Sequence, residues 1–222
     1  MRKENKTYYF SVEGETEKWY LEWLQDEINR CKTAKNSVKI ISQVTSSPVS
    51  YVKRMNILKK TEVTHIFDFE SAEPEYEKRF KGVLGEMKTA QTLGRNVKYR
   101  LGYSNLTFEL WVILHKADCN GSLSDRKQYL SKINKAYGEE FEKLSDYKRE
   151  TDFKRILGKL QLEDVFRAIE RARRIQQKNL EDGNRLMRDY GFEYYRENPS
   201  LSIWEPVEKI LLDCGIEPDD LL

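Results

Sequence analysis

Short apolar runs alternate with helical repeats of apolar residues along the first half of the chain. Four runs have the length and composition of buried strands: residues 8–12, 37–44, 63–67 and 97–103. Four helices are predicted to follow them, over residues 16–28, 48–60, 74–93 and 106–116. This order predicts an α/β fold with a mostly parallel four-stranded sheet, helices on both faces and right-handed crossovers.

Local signals mark where these helices begin and end. Gly14 permits a sharp exit from the first strand, because glycine tolerates backbone angles that other residues avoid. Thr16 can cap the helix that follows, and Gly94 is typical of a residue that ends a helix such as the third. Ser104 and Asn105 have the side-chain chemistry of an N-cap for the helix over residues 106–116.

The second half of the chain predicts helices and little strand. The helices cover residues 124–137, 152–160, 162–180 and 203–214. We therefore expect an α/β core over residues 1–121 and a helical region over residues 122–222 that packs on it. A single domain is the alternative, since no repeat or low-complexity linker separates the two parts.

Acidic residues follow two of the predicted strands at the point where each strand ends. Glu13 comes after the first strand, and Asp68 and Glu70 come after the third. The carboxyl ends of parallel strands meet at one edge of the sheet, where open α/β sheets bind ligands. Oxygen ligands of this kind suit Mg²⁺ or Mn²⁺, so the pattern predicts a metal site. The alternative is that these acids cap helices or face solvent.

Glu17 lies four residues beyond Glu13, about one helical turn, so both carboxylates can face one point. An exposed acid stabilised by the helix dipole is the competing interpretation for Glu17. Neither GxxxxGK[ST] nor GxGxxG occurs, which argues against nucleotide binding by those routes.

Composition adds little about partners. There are 39 Lys and Arg against 37 Asp and Glu, so the net charge of +2 neither indicates nor excludes nucleic-acid binding. Three widely separated cysteines argue against a zinc site or a disulfide scaffold and suit a reducing cytoplasm. No secretory h-region and no run of 18 apolar residues is visible, so we expect a cytoplasmic protein without a membrane span.

The segment 162–188 is rich in arginine and lysine. Arg171, Arg174 and Lys178 are candidates for contacts with the phosphate backbone of a nucleic acid. The alternative is a solvated helix, because acids are interspersed among these cations. The tyrosines of residues 189–195 are candidates for stacking on bases, although such residues more often lie in a core or an interface.

With these residues laid out, the sequence resembles the RloB-like proteins, which are related to the abortive-infection protein AbiLii and carry a domain similar to the Toprim (topoisomerase–primase) fold. Residues 12–17, VEGETE, with Tyr20 behind them, are similar to the family's EGxTE…Y. Residues 67–70, FDFE, stand where Toprim domains have DxD, and residues 103–115 are similar to SNPxFExWxxxH. Glu70 replaces the second aspartate, and Leu106 replaces the usual proline.

The resemblance implies roles for particular residues. Glu13 would be the catalytic acid or base or a metal ligand, and Asp68 and Glu70 would hold Mg²⁺ or Mn²⁺. Glu17 would be an extra ligand, as in some Toprim nucleases. We call these four acids the acidic edge, and they would then carry phosphoryl chemistry.

A supporting cluster is predicted in the third motif. Its candidates are Ser104, Asn105, Glu109 and His115. Asn105 and Glu109 are spaced i,i+4 in the predicted helix, which would put them on one face. The alternative is a helix cap followed by a buried helix, and for His115 a structural role is the favoured interpretation.

The favoured function is metal-dependent cleavage of DNA or RNA phosphodiesters in bacterial phage defence. The alternative is a non-catalytic adaptor or regulatory subunit that keeps the fold and binds a partner protein such as an ATPase. A nucleotidyl transferase is a third interpretation, for which no dedicated triphosphate motif is visible. The sequence leaves open DNA versus RNA, endo- versus exo-cleavage, the trigger, and whether the chain forms a homo-oligomer.

Overall fold

The fold is built on a four-stranded sheet in which every strand runs parallel to its neighbours. The computed structural model describes residues 3–57, 59–93, 96–119, 121, 123 and 125–218. The strands are β1 (Asn5–Val12), β2 (Ser37–Val44), β3 (Thr61–Phe69) and β4 (Val97–Asn105). Their order across the sheet is β2-β1-β3-β4. The predicted α/β class and parallel sheet are confirmed.

Helices connect the strands and cover both faces of the sheet. They are α1 (Glu15–Arg30), α2 (Pro48–Arg54), α3 (Pro74–Gln91) and α4 (Glu109–Leu114). Pro48 and Pro74 lie in the first turns of their helices, where a missing N–H costs nothing. The predicted end of α3 at Gly94 lies outside the described residues.

The junction between β4 and α4 differs from the prediction. Asn105 is still in β4, paired with Phe69 of β3, and α4 begins only at Glu109. Asn105 and Glu109 therefore do not share a helical face. Between them, Leu106 has a φ of +63°, a left-handed conformation that most side chains avoid. Pairing with β3 has overridden the local capping signal of Ser104 and Asn105.

The C-terminal part is helical, as predicted, but it also contains a hairpin. Its helices are α5 (Lys127–Tyr137), α6 (Leu144–Tyr147), α7 (Glu150–Leu157), α8 (Leu162–Glu181) and α9 (Trp204–Asp213). The hairpin pairs β5 (Leu186–Asp189) with β6 (Phe192–Tyr195) in antiparallel register. Its two-residue loop is Tyr190–Gly191, and both residues have positive φ. The hairpin itself was not predicted.

Two apolar clusters lie against the sheet. One combines side chains of β1 and α1 with side chains of α4, α5, α7, α8 and α9. The other joins β3 and β4 to α2, α3 and the hairpin. Helices from the second half of the chain thus contribute to the same core as the first half. The division at residues 121 and 122 stays a prediction, and Ser122 and Ser124 lie outside the described residues.

Within the described ranges, no helix has the length and apolar character needed to cross a membrane.

Candidate metal centre

The two acidic strand ends lie side by side because β1 and β3 are neighbours in the sheet. Glu13 directly follows β1, and its backbone N–H continues the ladder by donating to the carbonyl of Ile66 at 3.1 Å. Asp68 is the penultimate residue of β3, and Glu70 follows the strand. Oε2 of Glu13 accepts a hydrogen bond from the backbone N–H of Asp68 at 3.3 Å. The predicted meeting of these acids at one edge is therefore observed.

Glu17 is brought to the same edge by the first turn of α1. Its side chain is buried and accepts a hydrogen bond from the hydroxyl of Thr16 at 2.9 Å. Gly14, not Thr16, is the N-cap residue. Its φ of −136° is open to any residue, so backbone freedom does not explain the glycine. A Cβ at Gly14 would lie 2.8 Å from Oε2 of Glu17, so the glycine makes room for that carboxylate.

Two arginines pair with the acids at the strand ends. Arg79 of α3 places Nη2 2.6 Å from Oε1 of Glu13 and Nη1 2.9 Å from Oε1 of Glu70. Arg126, just before α5, places Nη2 3.6 Å from both Asp68 and Glu70. These positive charges offset part of the repulsion among the clustered carboxylates.

Glu109 is a fully buried carboxylate at the start of α4. Its Oε2 accepts a hydrogen bond from the hydroxyl of Thr107, and its Oε1 lies 3.0 Å from Nζ of Lys148. Lys148, after α6, also borders the cleft that contains the other acids. Glu109 thus belongs to the acidic edge through the loop before α4 and not through a shared helix with Asn105.

The charge state of these acids reflects how closely they are packed. Burial raises the pKa of Asp68 well above its ordinary value, and the carboxylates of Glu17 and Glu109 raise it further. Burial also raises the pKa of Glu17, with Glu109 adding to the effect. Burial lowers the pKa of Lys148, but its contact with Glu109 outweighs that effect and the net shift is upward. Asp68 and Glu17 therefore retain their protons to a higher pH than ordinary carboxyl groups do.

The donor chemistry of this edge fits a hard divalent cation. Glu13, Glu17, Asp68 and Glu70 all border one cleft of about 240 Å³ and offer only oxygen. Among the described residues, no three acidic, histidine or cysteine side chains stand in a ready-made coordination arrangement. Arg79 and Arg126 hold the carboxylates in ion pairs instead. A cation at this edge would replace these arginine contacts.

The sequence carries a family signature across this whole region. It matches the family model described as RloB-like protein over residues 8–210, which include most of β1, the acidic edge and most of α9. The chain belongs to the RloB-like family. Comparisons with curated proteins and with solved structures give no significant match.

In this RloB-like protein, Ser104 and Asn105 lie in β4 and are buried. The amide nitrogen of Asn105 is within hydrogen-bonding distance of three successive carbonyls, the nearest being that of Glu197 at 2.7 Å. The hydroxyl of Ser104 has no hydrogen-bond partner in the described part of the chain. Asn105 therefore fastens the segment after the hairpin to the end of the sheet, beside the acidic edge.

His115 is buried behind the acidic edge, at the end of α4. Its Nδ1 lies 2.9 Å from the carbonyl oxygen of Trp111, which can only accept, so Nδ1 carries the proton. Nε2 then accepts from the hydroxyl of Tyr20 at 3.1 Å. Burial lowers the pKa of His115 to about 4, and the ring is neutral at pH 7. Tyr20 and His115 both belong to the motifs that are similar to those of the RloB-like family. They form one hydrogen-bonded pair between α1 and the end of α4.

The basic residues predicted for nucleic-acid contact lie on α8. Nη1 of Arg171 donates to the carbonyl of Leu114 at 2.6 Å, so this arginine satisfies the end of α4. Arg174 and Lys178 are exposed and border a separate cleft of about 320 Å³. Arg185 and Arg188 lie beyond the end of the helix. Nucleic-acid contact by Arg171, Arg174 and Lys178 stays a prediction.

Sequence reasoning missed the cations of the acidic edge. These are Arg79, Arg126 and Lys148. Nothing in their local sequence distinguishes them from the other 36 lysines and arginines of the chain. The one usable signal was indirect, since four clustered carboxylates require positive charge from somewhere in the fold.

Proposed function

We propose that this RloB-like protein is a divalent-metal-dependent nuclease that hydrolyses DNA or RNA in bacterial defence against phage. The observation that carries the proposal is the acidic edge, whose carboxyl groups outnumber its cations and where partly buried Asp68 and buried Glu17 have raised pKa values beside Glu109. A cluster of carboxyl groups lowers the stability of a fold. Groups with shifted pKa values in a cleft are typical of functional sites. Family membership is compatible with the defence role.

Asp68, Glu70 and Glu13 would hold the ion, with Glu17 as a further ligand. When bound, Mg²⁺ or Mn²⁺ supplies Lewis acidity at the scissile phosphate. Glu13, at the end of β1, would take a proton from the attacking water. Arg79 and Arg126, once released from the carboxylates, would contact phosphate oxygens, for which the planar guanidinium is suited. In this proposal the sheet acts as a Toprim-like domain.

The non-catalytic adaptor remains a second candidate for a specific reason. Arg79 holds both Glu13 and Glu70 in ion pairs. A fold that pairs these acids internally can serve as a scaffold for a partner such as an ATPase. The two candidates differ in whether a divalent ion displaces the arginine.

Binding of Mn²⁺ and cleavage of labelled DNA and RNA test the proposal together. We expect the wild type to bind the ion and cleave one of the two polymers. Glu13→Gln and Asp68→Asn should lower the cleavage rate by about 100-fold or more, as loss of a transition-state contact does elsewhere. Glu22→Gln, an exposed acid on α1, is the matched control and should cleave normally. A folded wild type that binds no ion in the presence of nucleic acid would favour the adaptor.

A further inference from the structure

A second cavity shares a wall with the cleft of about 240 Å³ at the acidic edge, which we call the acidic cleft. It has a volume of about 330 Å³ and lies between the end of the sheet and α3. Glu13, Asp68 and Glu70 border both spaces. We call it the aromatic cavity, because Phe67, Tyr76 and Phe80 line it together with Val83 and Glu86.

The strand geometry places apolar side chains of the cavity beside charged ones. Side chains alternate between the two faces of a strand, so Phe67 points away from the face used by Asp68. Phe67 stacks on Phe80 of α3, with ring centroids 4.7 Å apart. Tyr76, in the first turn of α3, keeps 37% of its surface exposed at the rim. Phe67 and Phe80 are almost fully buried and pack on each other, so Tyr76 supplies the aromatic surface that is accessible near the acidic edge.

Besides the acids shared with the acidic edge, Glu86, His65 and Arg79 bring polar groups to the lining. Oε2 of Glu86 accepts from the hydroxyl of Ser47 at 2.7 Å, while Oε1 has no partner among the described residues. His65 is 99% buried, with Nδ1 within 2.8 Å of the Ser11 hydroxyl. Its Nε2 makes no hydrogen bond to any residue that the structure describes. Arg79 borders the cavity while it pairs with Glu13.

We propose that the aromatic cavity binds one nucleobase of the nucleic acid, next to the phosphate that the acidic edge handles. This inference rests on the proposed function and adds a base preference to it. A nucleobase is flat and apolar on its faces and polar at its edge, which matches the accessible ring of Tyr76 beside the polar groups of the lining. The free carboxylate oxygen of Glu86 accepts from an exocyclic amine, such as N4 of cytosine.

The carboxylate also excludes bases that present an oxygen at that position. Uracil has nearly the shape of cytosine but places a carbonyl where cytosine has an amine. Two facing acceptors leave both groups without a donor, and a site built to receive an amine rejects such an analogue. The cavity should therefore distinguish two ligands that differ in one group.

Binding of CMP and UMP to the full chain, measured by NMR titration with Mg²⁺, tests the inference. We expect CMP to bind about tenfold more tightly than UMP, a typical result of one charge-assisted hydrogen bond. Glu86→Gln keeps an acceptor for Ser47 and should reduce the CMP preference to about threefold or less. Equal binding of the two nucleotides to the wild type would overturn the inference, as would a preference unchanged in Glu86→Gln.

Gly82 allows the cavity itself to be blocked without disturbing the core. It lines the cavity from α3, and a Cβ there meets no other atom within 4 Å. Gly82→Leu should weaken both nucleotides about tenfold, whereas Gly82→Ala, the matched control, should bind nearly as the wild type does. Leucine is preferred because an aromatic substitute would imitate a base. Unchanged CMP binding in Gly82→Leu would locate the nucleotide elsewhere and overturn the inference.

The outcome separates this inference from the proposed function. If the wild type prefers CMP as described but cleaves neither DNA nor RNA, the cavity stands and the nuclease proposal fails. If it cleaves nucleic acid but binds CMP and UMP equally, or binds neither below about 10 mM, the nuclease proposal stands and the cavity is not a base site.

Discussion

Arg79 holds Glu13 in a direct ion pair, with 2.6 Å between Nη2 of the arginine and Oε1 of the glutamate. The same guanidinium pairs with Glu70 at 2.9 Å, although more than half of the arginine side chain is exposed. An exposed residue of α3 therefore occupies two carboxylates that we propose as metal ligands. Any divalent ion at this edge competes with it.

Removing Arg79 should strengthen metal binding. Exposed ion pairs contribute about 0–1 kcal/mol each, so Arg79→Ala should raise Mn²⁺ affinity by about two- to fivefold in calorimetry. Lys78→Ala removes the same charge from an exposed position on the same helix and should change affinity less. Weaker Mn²⁺ binding in Arg79→Ala would mean that the arginine supports the metal site and does not compete for it.

Asp68 should destabilise the metal-free protein at neutral pH. Its folded pKa is raised above the unfolded value near 3.8, so the folded chain binds more protons between these two values. The stability that protonation contributes is present at low pH and is lost as pH rises through the folded pKa. In EDTA at pH 8, the Asp68→Asn variant should therefore have a higher melting temperature than the wild type. The gap between the two melting temperatures should narrow toward pH 5.

Thermal unfolding monitored by circular dichroism measures this gap, with each 1 kcal/mol worth about 2–4 °C in a chain of this size. Mn²⁺ should reverse the order at pH 8 by stabilising only the wild type. Asp213→Asn is the control, because the pKa of Asp213 is lowered and not raised. The melting temperature of this variant should not rise above that of the wild type at pH 8 and then approach it toward pH 5. A gap that stays constant with pH would show that Asp68 does not titrate as stated.

The acidic edge was predictable where its signals were local, and the rest of the site was not. Glu13 and Asp68 could be found because strand ends are readable and parallel strands align them. Arg79 could not, since it pairs with a residue 66 positions away. The hairpin was missed because its Tyr190–Gly191 loop lacks the usual Asn-Gly or Asp-Gly signal, although both residues adopt positive φ.

Neither histidine should titrate between pH 7 and pH 5.5. Burial lowers the pKa of both His65 and His115 to about 4. These are the two histidines of the chain, so their ring signals are easy to assign by NMR. As pH falls below the unfolded pKa near 6.5, the unfolded chain gains protons that the folded chain does not, and these residues then reduce stability. A ring signal with a midpoint near 6.5 would contradict the burial of that histidine.

Replacing Leu106 by glycine should give a more stable protein than replacing it by alanine, which reverses the usual order of stability. Its left-handed φ of +63° costs a side-chain-bearing residue about 1 kcal/mol or more, and glycine pays no such penalty. Leu106→Gly should therefore be more stable than Leu106→Ala by about 1 kcal/mol in denaturant unfolding. The proline of the resemblance motif fits poorly here, because its φ is fixed near −65° and the Leu106 N–H donates to Phe69 at 2.8 Å. Equal or lower stability of the glycine variant would contradict the loop geometry.

Lys148 and Glu109 should behave as a coupled pair. Glu109 is fully buried, and Lys148 Nζ lies 3.0 Å from its Oε1. Lys148→Met leaves a buried carboxylate beside Glu17 and Asp68, and should cost about 1–3 kcal/mol in denaturant unfolding at pH 8. That cost is below the usual 3–5 kcal/mol for a broken buried pair, because the lysine is partly exposed and water can replace it. Glu109→Gln combined with Lys148→Met should recover most of the loss, since no unpaired charge remains.

Mn²⁺ should stabilise Lys148→Met more than it stabilises the wild type, because the cation restores the missing positive charge at the acidic edge. A Lys148→Met variant as stable as the wild type in EDTA would mean that Glu109 carries no buried charge.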